Sequence, residues 1–180
     1  MSLAVGGLRA ILWAMVLTLG LAGCASLAPP VTGELLSGRL SIRVDGQPER
    51  SVSGGFELSG TARQGGLVLS GPLGTTALRA QWAPGAAVLA QPGGGETRYA
   101  DLDALARASL GEAIPMAALF DWLRGRAWTG APASARADGV PGFEQLGWQI
   151  NLQRWDEGAL EAVRALPPMI TVRARVELPS

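Results

Sequence analysis

The chain has 180 residues, with 15 basic residues, all arginine, balanced by 15 acidic ones; it has no lysine and no histidine. The missing histidine removes the commonest general base and metal ligand, and the single cysteine, Cys24, rules out an intramolecular disulfide. Cys–His, Ser–His and Ser–Lys nucleophiles and the usual zinc sites are thereby excluded, and a zero net charge without a basic run gives no nucleic-acid footprint.

Residues 1–23 have the three parts of a secretory signal: Arg9, an apolar run from Ala10 to about Leu19, and small residues after it. That run is too short to span a bilayer comfortably, and no second long apolar stretch follows. Leu21-Ala22-Gly23-Cys24 looks like a bacterial lipobox, in which small residues fit the peptidase cleft and present a thiol for diacylglycerol transfer. The expectation is export, cleavage before Cys24, and S-diacylglycerol and N-palmitoyl attachment at that cysteine. Several chains on one residue anchor stably, since each buried CH₂ contributes about 0.8 kcal/mol. Ala25 is not aspartate, and by resemblance to the sorting rule of enteric bacteria this directs the protein to the outer membrane, held at its periplasmic face. Residues 24–33, with Pro29 and Pro30, read as the acylated cysteine and its tether, and 34–180 as one domain.

Period-two patterning begins at Gly38, with Leu40, Ile42 and Val44 on one face and Arg39, Ser41 and Arg43 on the other. After the turn Asp45–Pro48, a second strand spans Arg50–Leu58, with Val52, Gly54, Phe56 and Leu58 on one face and glycines that suggest a bend. Strands at Gly65–Ser70 and Thr75–Ala83 flank Gly71-Pro72-Leu73-Gly74, and Ala86–Ala90 with Glu96–Tyr99 form a hairpin around Pro92–Gly95. Gly93-Gly94-Gly95 has neither the lysine nor the helix start of a phosphate loop. Two short helices follow. Asp101 caps a segment containing Leu102, Leu105 and Ala106 that ends near Gly111. Pro115 opens the next, where Met116, Leu119, Phe120 and Leu123 recur at helical spacing with Trp122 at the flank, and Gly125 ends it. Residues 126–145 read as an Ala/Gly/Pro-rich connection. Strands resume at Trp148–Gln153 and at Ile170–Leu178, where Ile170, Val172, Ala174 and Val176 alternate with Thr171, Arg173, Arg175 and Glu177. Six or more strands with one dry face and two amphipathic helices predict a mainly β fold: an incomplete antiparallel barrel, or strongly curved sheet, with a helical lid.

Two stretches carry a family resemblance. Leu67–Leu78, with Gly71-Pro72-Leu73-Gly74 inside it, resembles the signature of LolB, the outer-membrane lipoprotein that receives other lipoproteins from the periplasmic carrier LolA. Pro115-Met116-Ala117-Ala118-Leu119-Phe120-Asp121-Trp122-Leu123-Arg124-Gly125 is similar to that family's P-x-x-x-L-x-x-W-L-x-G helix. The order of lipobox, strands, two helices and strands fits nearly the whole mature chain. The resemblance implies an apolar cavity under the helices, no cofactor and no enzymatic activity. It implies a monomeric acceptor that takes acylated cargo from LolA without ATP and inserts it into outer-membrane lipid. The inward-facing Leu40, Ile42, Phe56, Leu67, Leu69, Leu78, Trp82, Trp148 and Ile150 become candidates for the cavity wall; a solidly packed core would show the same pattern. Leu102, Leu105, Met116, Leu119, Trp122 and Leu123 become the lid. Pro72, Leu73 and Gly74 become the membrane-insertion loop, Leu73 matching an exposed leucine of the family. Members of that family commonly finish with a further strand ending near a tryptophan, whereas this chain stops at Pro179-Ser180.

Three other readings stay open from the residues. One is an anchored module for another hydrophobic ligand. A second is a carboxylate-based hydrolase using a pair among Asp101, Asp103, Asp121 and Glu112, which would need two carboxyls facing one cleft about 5–9.5 Å apart. The third is a purely structural envelope lipoprotein.

Overall fold

The computed structural model describes residues 35–71, 74–111 and 114–178. The signal, Cys24 and the tether lie outside the described residues, as do Pro72, Leu73 and Glu112.

Six strands come first: β1 (Leu36–Val44), β2 (Val52–Gly60), β3 (Gly65–Ser70), β4 (Thr76–Ala83), β5 (Ala86–Ala90) and β6 (Glu96–Tyr99). Two helices follow, α1 (Leu102–Leu110) and α2 (Met116–Trp122), then β7 (Ala133–Ala135), β8 (Gly142–Gln145), β9 (Trp148–Asn151), β10 (Ala159–Arg164) and β11 (Ile170–Val176). All eleven join one antiparallel sheet in the order β6-β5-β4-β3-β2-β1-β11-β10-β9-β8-β7. The first and last strands therefore meet in the middle. Leu40 lies opposite Ala174 and Val44 opposite Ile170, a register that puts the apolar members of both strands on one face. The sheet does not close on itself, because β6 and β7 are its two edges and the helical segment is the chain that runs between them.

The alternation in the sequence is the alternation in burial. Leu36, Leu40, Ile42 and Val44 of β1, Phe56 and Leu58 of β2, and every second residue of β11 from Ile170 to Val176 are buried. The opposite face carries the arginines; Arg173 pairs with Glu161 across the β10–β11 hairpin, and Arg39 faces Arg175 directly. Where β3 and β4 pair, the Trp82 indole lies over Gly65, and a Cβ there would strike both the ring and the Ser59 carbonyl. The glycine thus makes room for the tryptophan, which donates from Nε1 to the Thr61 carbonyl at 2.9 Å.

The helices start and stop where their ends are chemically marked. Asp101 accepts a 2.7 Å hydrogen bond from the Ala104 amide, satisfying one of the orphan donors of the first turn. Gly111, at a φ of +73°, takes the left-handed residue that closes α1.

Two expectations need correction. Residues 126–145 are not a bare connection: Ala133–Ala135 and Gly142–Gln145 are strands at the far edge of the sheet. Both are short, and the first is fully exposed, so neither shows an apolar face that patterning could detect. The chain also does not end on a lone strand. Ala159–Arg164 forms β10, whose Leu160 and Ala162 are buried, and it pairs with β11 from Ala159↔Arg175 to Arg164↔Ile170.

Candidate functional site

The inner face of the sheet is covered unevenly. Over the C-terminal half, the cover is solid. Trp122, at the end of α2, is fully buried against Trp148 of β9, with ring centroids 5.7 Å apart. Its Nε1 donates to the Gln145 side-chain oxygen at 2.9 Å. Gln145 is the one buried polar residue among those described, and its amide is fully engaged. Its oxygen also accepts from the Trp128 amide at 3.0 Å, while its nitrogen donates to the carbonyls of Trp128 at 2.7 Å and Ala131 at 2.8 Å. The side chain therefore ties α2 and the segment after it to β8. Trp155 adds a second tie, since its ring packs on Gly125, whose φ of +70° and close approach both require glycine.

Over the N-terminal half, the cover leaves a gap. A cavity of about 100 Å³ lies between β1–β5 and the two helices. Six of the nine candidates from the sequence line it: Leu40, Ile42, Phe56, Leu67, Leu69 and Leu78. From the helices come Leu102, Leu105, Met116, Leu119 and Leu123. Val52, Leu58, Ala80, Leu89, Ala106, Leu110 and Phe120 complete the apolar wall, and Ser109 is the sole lining residue with a side-chain hydroxyl.

Trp82, Trp148, Ile150 and Trp122 are not in the wall, although all four are buried. Trp82 is turned edge-on against Phe120, at 5.5 Å and 85° between rings, so it packs on a wall residue without lining the gap itself. Trp148, Ile150 and Trp122 belong to the solid half. The sequence pattern placed Trp148 and Ile150 on the correct face and Trp122 in the lid, but could not distinguish the packed half of the cover from the hollow half.

The wall also shows where the cavity opens. Most of its residues are buried, but Val52, Leu67, Leu78 and Met116 are half-exposed and Ser109 is exposed. Two of these, Val52 at the start of β2 and Leu78 near the start of β4, lie towards the end of the sheet from which the 71–75 connection leaves. That connection is closed at its base, where the Gly71 amide donates to the Thr75 carbonyl at 2.9 Å and the Gly74 amide to the Gly71 carbonyl at 3.0 Å. Gly74 has a φ of +74° with open space around it; Pro72 and Leu73 lie outside the described residues.

The candidate carboxylates take structural partners. Asp101 caps α1, and Asp103 accepts from the Met116 amide at 3.3 Å, joining the two helices. Asp121 pairs with Arg126 at 2.7 Å. The most perturbed carboxyl among the described residues is that of Asp138, held down to about 2 by the hydrogen bond from Arg136; it lies on an exposed loop at the far end of the sheet. A group so placed serves the loop, not the cavity.

Comparison with known proteins gives a consistent answer. The family model described as outer membrane lipoprotein LolB matches residues 35–178. A protein of Bordetella petrii named outer-membrane lipoprotein LolB is 38% identical over 174 residues, covering 88% of this chain and 87% of its own length. Its namesake in Bordetella pertussis is 39% identical over 148 residues, covering 76% and 74%. The one in Cupriavidus metallidurans is 29% identical over 182 residues, covering 94% and 87%. The half-barrel, its helical cover, the apolar cavity beneath it and these matches agree: the chain belongs to the LolB family.

Proposed function

We propose that this protein is an outer-membrane lipoprotein acceptor. It takes lipoproteins from the periplasmic carrier LolA by receiving their acyl chains in the cavity under α1 and α2, and it inserts them into the outer membrane without ATP. The observation that carries this reading is the cavity wall, which is aliphatic and aromatic throughout except for Ser109 at its edge. Such a surface offers an acyl chain the same dry contact as a bilayer, about 0.8 kcal/mol for each methylene removed from water. A chain moves from carrier to acceptor without an energy source if the acceptor's cavity holds it more tightly; every 1.4 kcal/mol of difference shifts the ratio about tenfold.

The cavity at about 100 Å³ is smaller than the ~150 Å³ hole that accommodates one benzene, so it is the closed form of the site. An acyl chain enters only if the cover lifts. Gln145 and Trp155 tie the end of α2 down, whereas α1 packs on β5 and β6 at the edge of the sheet. α1, which Asp103 also joins to α2, is the half of the cover we propose to lift. The protein is anchored through acylated Cys24 after removal of residues 1–23, works at the periplasmic face, and catalyses no covalent chemistry.

Leu73 is the delivery residue in this reading. Leu73→Glu leaves acceptance from a loaded carrier unchanged and impairs transfer into vesicles. Equal delivery by variant and parent would remove Leu73 from the mechanism.

A further inference from the structure

In an antiparallel meander, alternate connections emerge at the same end of the sheet. Five hairpin tips share one end here: residues 45–51, 71–75, 91–95, 146–147 and 165–169. Four of the five contain no ionisable residue; the exception, 45–51, holds Asp45, Glu49 and Arg50. The opposite end is different in kind. Three of its four hairpin connections are charged, with Arg63 in 61–64, Arg136 and Asp138 in 136–141, and Arg154, Asp156 and Glu157 in 152–158, while 84–85 is not.

The end that carries these five tips also displays apolar side chains with no cover. Leu166 is 68% exposed, Leu146 47% and Met169 44%, three of the five exposed large hydrophobic residues among those described. The other two, Leu35 and Leu178, adjoin the first and last strands at the opposite end.

Leu146 is unfavourable on two counts. It and Gly147 form a two-residue turn between the paired Gln145 and Trp148, with φ of +54° and +77°. That geometry favours Asn-Gly, because asparagine tolerates a positive φ and is soluble at a tip. Leucine is disfavoured there by its backbone and by water alike. The other tip is firmly built: the Met169 carbonyl accepts from the Asp45 amide at 2.9 Å, and Arg164 donates to the Pro168 carbonyl at 3.3 Å. The two tips stand two strands apart, about 10 Å.

We infer that Leu146, Leu166 and Met169 form a second membrane contact, which seats the cavity mouth against the lipid surface. The inference rests on the acceptor reading above and extends it. A lipid surface is the occupant favoured by the chemistry, because separate apolar knobs on the two uncharged tips 146–147 and 165–169 offer a protein partner no groove. Orientation agrees, since the half-exposed mouth residues Val52 and Leu78 lie at this same end. The anchor permits it as well. The twelve residue steps from Cys24 to Leu36 span at most about 43 Å fully extended, and the length of β1 is only about 30 Å.

The test uses the full chain, purified from membranes and reconstituted in phosphatidylethanolamine–phosphatidylglycerol vesicles. Cys24 is its sole cysteine, so when acylated it leaves an introduced thiol as the single labelling site. Nitroxides are placed at Leu146→Cys, Leu166→Cys and, on the opposite end, Asp138→Cys, and their collisions with oxygen and with a water-soluble nickel chelate are compared. The expected result is oxygen-dominated collision at 146 and 166 and chelate-dominated collision at 138. Chelate-dominated collision at all three overturns the proposal. So does protection at 146 and 166 that appears only when loaded carrier is added, which would make this end a protein-docking surface.

A second arm follows function. Leu166→Glu combined with Met169→Glu is expected to slow delivery into vesicles about tenfold while acceptance from the carrier is unchanged. Immersed labels on a parent protein that accepts no lipoprotein would refute the acceptor reading and leave the membrane contact standing. Full delivery with the labels in water would refute the membrane contact alone.

Discussion

Replacing Gln145 by leucine keeps the volume of the side chain and removes all four of its hydrogen bonds. The groups left behind differ in what they lose. The Trp122 indole N–H is completely buried, so it bears the full cost of an unsatisfied donor, about 1–3 kcal/mol. The Trp128 amide, the Trp128 carbonyl and the Ala131 carbonyl are in half-exposed residues and recover part of their hydration, which leaves roughly 0.5–1 kcal/mol each. The expected destabilisation is about 2.5–6 kcal/mol, a large share of the ~5–15 kcal/mol that holds a domain of this size together. Urea unfolding followed by circular dichroism measures it. A cycle with Trp122→Phe isolates the tie to α2, because phenylalanine has no N–H to orphan. In that background, Gln145→Leu should cost about 1–3 kcal/mol less than in the parent. A destabilisation below about 1 kcal/mol, or no coupling in the cycle, would refute the view that this glutamine pins α2 to the sheet.

Ala80, buried in the cavity wall, offers a way to block the site without touching the lid. Ala80→Phe should abolish binding of a fluorescent fatty-acyl probe at an overpacking cost of about 1–3 kcal/mol; undiminished probe binding by the folded variant would place the site elsewhere. The acid limb of stability also has a definite sign. Asp138 and Glu157 have carboxyls held below their ordinary values by hydrogen bonds from Arg136 and Arg154, so each contributes stability at neutral pH that is lost on acidification, Asp138 as pH falls through about 2. With no histidine in the chain, unfolding midpoints should stay level from pH 8 to pH 5 and decline only below; a step near pH 6–7 would contradict this.

The sequence was most readable where one side chain in two is buried. β1 and β11 have long, strict alternation because one face packs and the other is wet, and their pairing at the centre of the sheet follows from the same pattern. The helix ends at Asp101 and Gly111 were legible for a local reason: each residue type answers a specific backbone requirement. Legibility failed at β7, β8 and β10, for three different causes. Ala133–Ala135 has no buried face to pattern. Gly142–Gln145 turns Gln145 inward, so its key residue looks like one for solvent. Ala159–Arg164 is short and interrupts its apolar face with alanine. Sequence alternation likewise marked a dry face without showing that the dry face is hollow under Leu40, Phe56 and Leu69 yet solid under Trp148 and Ile150. That difference is made by where Trp82 and Trp122 settle, a matter of three-dimensional packing. Gln145 carried a usable signal, since a polar residue at an inward strand position is rare unless fully hydrogen-bonded, but only once β8 is known to be a strand.

The central claim is that the cavity accepts acyl chains from a carrier. It is tested most directly with the chain from residue 24 onward bearing Cys24→Ala, mixed without nucleotide with LolA loaded with a radiolabelled lipoprotein. The lipoprotein should move onto this protein and co-elute with it. If the label stays on LolA while the protein is folded, the acceptor reading is contradicted.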